Sequence, residues 1–176
     1  MRTAAALAAF VAGAGLLSLS AQSDIDTRLR AQLSLLFPSA AEFSGKGGDP
    51  PHYKAFGAAA REGAPPVVGY AFWTTELEPL ERGYDGPIKM LVGLDPKGLL
   101  TGVIVVQHNE PYGNFSIEPP RFAAQFRGKS IRDPFKVGAD VDAVSRATIT
   151  ITSAARAIRN SARRVARQLL TPPGPP

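Results

Sequence analysis

The segment from Val67 to Glu110 constrains the fold most, because it predicts consecutive β-strands. The stretch "VVGYAFWTTE" is rich in β-branched and aromatic residues, and "IKMLVGLDPKGLLTGVIVVQHNE" is typical of two strands joined by a turn at Asp95-Pro96-Lys97-Gly98. The run from Val103 to Val106 is apolar at every position, which favours a central strand covered on both faces over an edge strand. The sequence therefore predicts an antiparallel meander.

Helices are predicted before and after this strand region along the chain. Apolar residues recur at helical spacing from Ser23 to Phe37, with Ser23 or Asp24 available as the N-cap. A helical turn or two is predicted around Pro120 to Phe126, and a long amphipathic helix from Ser153 to Leu170. We therefore expect an α+β fold, in which a curved antiparallel sheet packs with two or three helices.

The composition indicates one exported domain. The 176 residues are 44% hydrophobic, which suffices for a single core. The opening "MRTAAALAAFVAGAGLLSLS" has an early cation, a short apolar run and small residues before Ala21, as a bacterial export signal does. We expect residues 1–20 to be a signal peptide or a membrane anchor, 21–170 the folded domain and 171–176 a disordered tail. The expected location is the periplasm, with anchoring to the inner membrane left open.

The charge of the chain does not indicate nucleic-acid binding. The formal net charge is +5 and the pI is about 9.8, but the basic residues are not interleaved with aromatic residues as in a nucleic-acid-binding module. Five arginines lie on the predicted last helix, between Ser153 and Leu170. They form either a solvated face or a docking surface for anionic lipid or an acidic redox partner.

The absence of cysteine removes several chemistries. A chain with no cysteine has no disulfide, no thiolate nucleophile and no iron–sulfur ligation. The two histidines, His52 and His108, are too few to predict a metal site. Any redox chemistry must therefore use a bound organic cofactor.

The segment "VDAVSRATITITS" contains the most pointed pattern in the chain. A threonine hydroxyl is protonated at neutral pH and needs a base to become a nucleophile, and the nearest acid in the motif, Asp142, lies six residues before Thr148. The sequence therefore predicts no catalytic residue here. A threonine that another enzyme modifies needs only exposure at a recognisable turn.

The segment "DAVSRAT" resembles the flavinylation motif of the FMN-binding domain family. The family pattern is Asp, two variable residues, Ser or Thr, usually Gly, then Ala and Thr, and a separate flavin transferase joins FMN, taken from FAD, to the final threonine. The resemblance implies covalent FMN on Thr148, with Asp142, Ser145 and Ala147 at the other motif positions. Arg146 stands where the family usually has glycine, as either a phosphate contact or a solvated arginine.

The resemblance extends over residues 28–170, through the segments "VGYAFWTTE", "GYDGPIKMLVGLDPKGLLTGVIVVQHNEPYG" and "DVDAVSRATIT". They occur in the order seen in the periplasmic flavin domain of NosR/NirI-type regulators, a domain type also found in the G subunit of Rnf complexes and the C subunit of the sodium-pumping NADH:quinone oxidoreductase. The resemblance implies that His108 and Glu110, placed on one side of a strand end, lie near the flavin. The alternative for each is a hydrogen-bonded residue at the strand end. Tyr84 in "GYDGP" is a turn residue or a contact to the flavin ring. For Trp73 we favour a core position over a flavin platform.

The expected function is electron carriage by covalently held FMN, in a flavin domain on its own rather than an enzyme with its own substrate. The expected partners are a flavin transferase, a membrane or periplasmic redox protein and the membrane surface. Two alternatives stay open. One is a non-covalent flavin or small-ligand binding or sensory module, and the other is a maturation factor for a membrane redox complex.

Overall fold

A computed structural model describes residues 25–59 and 63–170. The predicted signal and tail lie outside the described residues. Along the chain the elements are α1 (Thr27–Leu36), β1 (Glu42–Phe43), β2 (Tyr53–Phe56), β3 (Val67–Trp73), α2 (Thr74–Leu77), β4 (Lys89–Leu94), β5 (Leu100–Gln107), α3 (Gly113–Ser116), α4 (Pro120–Ala124) and α5 (Thr148–Leu169). The α+β prediction is confirmed.

The five strands form one antiparallel sheet in the order β1-β2-β3-β4-β5, so the predicted meander is confirmed. The β4–β5 connection is the predicted turn, in which the Gly98 N–H donates to Asp95 O at 3.1 Å. The Asp95 carboxylate also accepts from the N–H groups of Lys97 and Leu99, both at 2.8 Å. Gly98 has φ +81°, which explains why glycine ends the turn.

The prediction of a central position for the apolar strand is wrong, because β5 lies at an edge of the sheet. Its side chains are nevertheless covered on both faces. Val103 and Val105 pack into one core cluster, while Ile104 and Val106 pack against the other. Helices and loops supply this cover, so the apolar run reports burial and not the number of paired neighbours. The almost fully buried strand is β4, which lies between β3 and β5.

The sheet separates two apolar cores. The larger core packs the sheet against α5 and includes Phe72, Met90, Ile151, Ile158 and Val165, which are all completely buried. The smaller core packs the sheet against α1. The prediction of a core position for Trp73 is confirmed, since it is buried in the smaller core, while Phe122 and Phe126 are buried in the larger one.

Both long helices begin at residues other than those predicted. The N-cap of α1 is Asp26, whose carboxylate accepts from the Leu29 N–H at 2.7 Å. The longer α5 begins at Thr148, not at Ser153. The "TITIT" run is β-branched and so favours an extended backbone by propensity, but Thr150 and Ile151 are buried and tertiary packing overrides that preference.

Four of the five α5 arginines have partners in the fold, although Arg156 and Arg164 are also exposed, as a solvated face predicts. These four side chains attach neighbouring segments to the helix: Arg156 pairs with Glu81 at 2.9 Å, Arg159 donates to Pro134 O at 3.3 Å, Arg163 donates to Ile131 O at 2.7 Å and Asp133 O at 2.9 Å, and Arg164 donates to Leu77 O at 3.0 Å. Charge reversal of Arg163 or Arg164 should therefore lower the stability of the fold. Among residues 25–59 and 63–170, no helix has the length and hydropathy needed to span a bilayer.

Candidate functional site

The motif segment is a tight turn that leads directly into α5. The Ala147 N–H donates to Val144 O at 3.1 Å, which closes a four-residue turn with Ser145 and Arg146 at its centre. Arg146 has φ +68°, whereas Ser145 is not among the residues with positive φ. A positive φ at the third residue alone defines a type II turn, in which glycine is the favoured residue. The turn therefore explains why glycine is common at this motif position.

Two residues of the motif occupy opposite environments. The Ala147 side chain is buried in the larger core, so only a small residue fits between the turn and the sheet. The next residue, Thr148, is exposed and is the first residue of α5. The turn is anchored at one position and presents a hydroxyl-bearing side chain to solvent at the following one. This confirms the exposure that an acceptor threonine needs.

The amino end of α5 has free backbone donors. The N-cap residue Ala147 makes no side-chain capping bond, and the first turn contains no acidic residue. The first helical hydrogen bond runs from the Ile151 N–H to Ala147 O, so the preceding N–H groups have no partner within the helix. Free N–H groups and the helix dipole together favour an anion at this end.

Glu110 is a buried carboxylate that joins three parts of the chain. Its side chain accepts from the N–H of Tyr84 at 3.0 Å and from the N–H of Asp85 at 2.9 Å. It also accepts from the hydroxyl of Thr150, in the first turn of α5. The residue is only 6% exposed. These bonds hold the "GYDGP" loop and the end of β5 against the start of α5.

Two glycines make room for the polar side chains. A Cβ added to Gly83 would lie 2.3 Å from Glu110 Oε1, and one added to Gly113 would lie 2.1 Å from His108 Cε1. Both distances are far below van der Waals contact, so each glycine permits a close approach that a side chain would block. The positions of Glu110 and His108 therefore depend on these two residues.

His108 and Glu110 lie close together, but not as alternate residues of a strand. That prediction is wrong because β5 ends at Gln107 and both residues lie in the following loop. The Glu110 N–H donates to His108 Nδ1 at 3.1 Å, and His108 Nε2 lies 3.2 Å from Glu118 Oε1. Since Nδ1 accepts, Nε2 carries the ring proton and donates a hydrogen bond to the Glu118 carboxylate.

The remaining predicted site residues divide into two groups. Tyr84 joins the Glu110 network through its backbone, while its side chain is 69% exposed. Asp142 and Ser145 are exposed and lie outside this network. The Asp142 N–H donates to Gln125 Oε1 at 2.7 Å. Sequence reasoning missed Thr150, because only the folded chain brings it to a carboxylate 40 residues away.

A second carboxylate stabilises the loop that precedes the motif. Asp140 accepts from the N–H groups of Lys136 and Phe135 and pairs with Lys129 at 3.1 Å. Burial raises the pKa of Asp140, but the hydrogen bonds from Lys136, Lys129 and Phe135 together lower the pKa below its ordinary value. Asp140 is therefore held as the charged carboxylate.

The comparisons with known proteins show a similarity that includes the candidate site. The model of the FMN-binding domain family matches residues 83–163, which contain every predicted site residue. The resemblance to that family, predicted from "DAVSRAT", is confirmed.

Particular relatives match different parts of the chain. It is 49% identical over 47 residues to the G subunit of the ion-translocating oxidoreductase complex of Haemophilus influenzae, which covers 27% of this chain and 21% of the relative. It is 34% identical over 91 residues to the corresponding protein of Pseudomonas aeruginosa, covering 46% and 42% respectively. It is 26% identical over 162 residues to the regulatory protein NosR of Pseudomonas aeruginosa, covering 86% of this chain and 22% of that protein. The chain thus spans well under two thirds of these relatives.

Proposed function

We propose that this protein is an exported electron carrier that holds FMN covalently through a phosphoester on Thr148. The observation that carries the proposal is the placement of Thr148, which is exposed, follows a type II turn and opens a helix whose first N–H groups have no side-chain cap. The match of residues 83–163 to the FMN-binding domain family supports the choice of cofactor.

The attachment would be made by a flavin transferase acting on FAD. The Thr148 oxygen attacks the phosphorus of the FMN half, the bond to the AMP half breaks, and AMP leaves with the proton that the hydroxyl loses. No base for this step is provided within the motif, and Thr150 donates its hydroxyl to Glu110. The exposed turn is therefore best suited to recognition by a separate enzyme.

The residues around Thr148 fit a phosphodiester. Its single negative charge would lie at the amino end of α5, where uncapped N–H groups and the dipole stabilise an anion by about 0.3–1 kcal/mol. Arg146 is exposed two residues earlier, so its guanidinium is available for a charge-assisted hydrogen bond to the phosphate. The Glu110 network would fix the helix start and the Tyr84 loop relative to each other.

FMN, when bound, supplies reversible electron transfer, and the chain contributes binding, orientation and charge. The exposed ring of Tyr84 and the His108 side chain lie on the segments joined to Glu110, so both are candidates to contact the flavin. The relatives named as subunits of an ion-translocating oxidoreductase complex support a membrane redox protein as the partner. We also propose a periplasmic location, with residues 21–170 as the flavin domain.

Thr148→Val tests the proposal directly, because valine keeps the shape and removes the acceptor oxygen. The chain is co-expressed with a flavin transferase and exported, and intact mass together with fluorescence on a denaturing gel reports covalent flavin. We expect one FMN unit on the wild type and none on Thr148→Val, with little change in thermal stability.

Thr152→Val is the matched control, since Thr152 lies one helical turn after Thr148 and is only partly buried. Thr150 is unsuitable, because α5 begins at Thr148, so that Thr150 points to another side and bonds Glu110. Flavin that persists on Thr148→Val would contradict the assignment of the acceptor. A wild type that binds flavin only before denaturation would favour a non-covalent module, and a colourless wild type a maturation factor.

A further inference from the structure

A concave site lies at the carboxyl end of α5. A cleft of about 650 Å³ is formed by the β4–β5 turn, the segment around Ile131 and the last turns of α5. This volume lies within the range of typical ligand pockets, which is roughly 300–1,000 Å³. None of the residues assigned above to the flavin site lines the cleft.

The walls of the cleft are preformed. The Leu100 N–H donates to Lys129 O at 2.8 Å and the Ile131 N–H to Gly98 O at 3.0 Å, so the segment is paired to the turn. Arg163 fixes the same segment from the helix side through Ile131 O and Asp133 O. Hydrogen bonds from two directions therefore hold the cleft without any ligand.

The lining combines apolar walls with a cationic rim. Leu99, Ile131 and Leu170 supply apolar surface, and Leu99 is 37% exposed. Lys97, Arg132 and Arg167 are exposed and form no ion pair with another described residue. Among the described residues, no carboxylate lines the cleft. Such a lining suits a ligand that carries a negative charge next to an apolar body.

We propose that this cleft binds an anionic phospholipid at a membrane surface, with the headgroup phosphate on Lys97, Arg132 and Arg167 and part of an acyl chain on the apolar walls. Each basic residue near an anionic leaflet contributes about 1 kcal/mol to membrane attraction. An acidic protein segment would use the same cations, but it would leave the exposed Leu99 and the apolar walls without a matching surface.

The position of the cleft has a consequence for orientation. The 22 residues of α5 separate it from Thr148, which corresponds to roughly 30 Å at the usual rise of 1.5 Å per residue. Because the cleft and Thr148 lie at opposite ends of α5, a membrane bound at the cleft would leave Thr148 at the end of the helix that faces away from the bilayer. The lipid site would orient the exposed threonine toward the aqueous side.

The test compares the partitioning of full-length variants onto vesicles of phosphatidylcholine alone and of phosphatidylcholine mixed with phosphatidylglycerol. The apolar amino-terminal run is present in every variant, so its own contribution cancels. We expect Arg132→Glu combined with Arg167→Glu to weaken partitioning onto phosphatidylglycerol vesicles at least about tenfold. Thermal melting checks that each variant is folded.

Arg28→Glu combined with Lys54→Glu is the control, because it changes the net charge equally and neither exposed residue lines the cleft. Equal losses in the two double variants would mean a diffuse charge effect and would overturn the proposal. Leu99→Asn should weaken binding several-fold, and an unchanged value would contradict the acyl contact. Binding that appears only after deletion of residues 171–176 would make that segment the occupant and would also overturn the proposal.

Discussion

Arg146→Gly should stabilise the protein, although it removes a long side chain. Arg146 has φ +68° at the third position of a type II turn, where any residue with a Cβ is strained and glycine is not. Its side chain is exposed and makes no hydrogen bond or ion pair with another described residue. Removing the guanidinium should therefore cost the apoprotein little.

The size of the effect follows from two opposing terms. A non-glycine residue held in the left-handed region costs about 1–2 kcal/mol. Glycine gains more freedom in the unfolded chain, which offsets about 0.5–1 kcal/mol of the benefit. The net expectation is a gain of about 0.5–1 kcal/mol in the free energy of unfolding, or a rise in Tm of about 1–4 °C for a domain of this size.

Thermal and denaturant melts of the exported, flavin-free domain measure this gain, with Arg146→Ala as the control. Alanine removes the same guanidinium but keeps the Cβ, so only the glycine variant relieves the backbone. A glycine variant no more stable than the alanine variant would refute the reasoning. In the covalent assay, Arg146→Gly should leave modification intact or increase it, because it restores the usual residue of the motif.

Three further changes test other parts of the fold. Glu110→Gln should lower the free energy of unfolding by about 1–3 kcal/mol, because only one end of an amide accepts hydrogen bonds, whereas both carboxylate oxygens accept here. Glu118→Gln, at an exposed position, should cost much less stability in the same denaturant melts. Val165→Asp should cost on the order of 3 kcal/mol by burying a charge, and Gln168→Asp, at an exposed position of the same helix, should be nearly neutral. Asp140 has a folded-state pKa below its ordinary value, so the charged carboxylate stabilises the fold above about pH 4. This stability is lost as the pH falls through the folded-state pKa. Asp140→Asn should therefore be less stable than the wild type at pH 6, and it should lose less stability on acidification to about pH 3. A wild-type acid transition unchanged by Asp140→Asn would contradict the last assignment.

The fold was predictable where local chemistry and packing agree. The meander is specified by runs of β-branched and aromatic residues and by the turn at Asp95 to Gly98, because consecutive strands joined by short turns pair with each other. The edge position of β5 was not predictable, since helices and loops on its two faces can bury an apolar strand as well as strands can. The start of α5 was missed for a related reason. The β-branched run after Thr148 has weak helix propensity, and only burial of Ile151 makes it helical.

The site was predictable only in its contiguous part. The motif from Asp142 to Thr148 is a short segment whose turn geometry is local, so the sequence places it correctly next to the helix. The Glu110 network is not local, because its three donors lie 25, 26 and 40 residues away along the chain. Neither periodicity nor spacing specifies such a contact. Gly83 is the one signal that a close approach leaves in the sequence, and a glycine in a turn has simpler explanations.

The structure around Thr148 contains three features that each lower stability or leave a polar group with little solvation. Arg146 occupies the left-handed region, Ala147 leaves the helix start without a side-chain cap, and Glu110 buries a carboxylate beside Thr150. Local departures of this kind persist where the surrounding fold over-determines them, and they concentrate at functional sites. Here each departure has a separate consequence: the first two expose the hydroxyl and free the N–H groups, and the third fixes the helix start against the Tyr84 loop. Arg146 and Ala147 directly precede the exposed Thr148, and Glu110 contacts Thr150 in the same helical turn. This grouping around one exposed threonine supports a functional role for this helix end without reference to any relative.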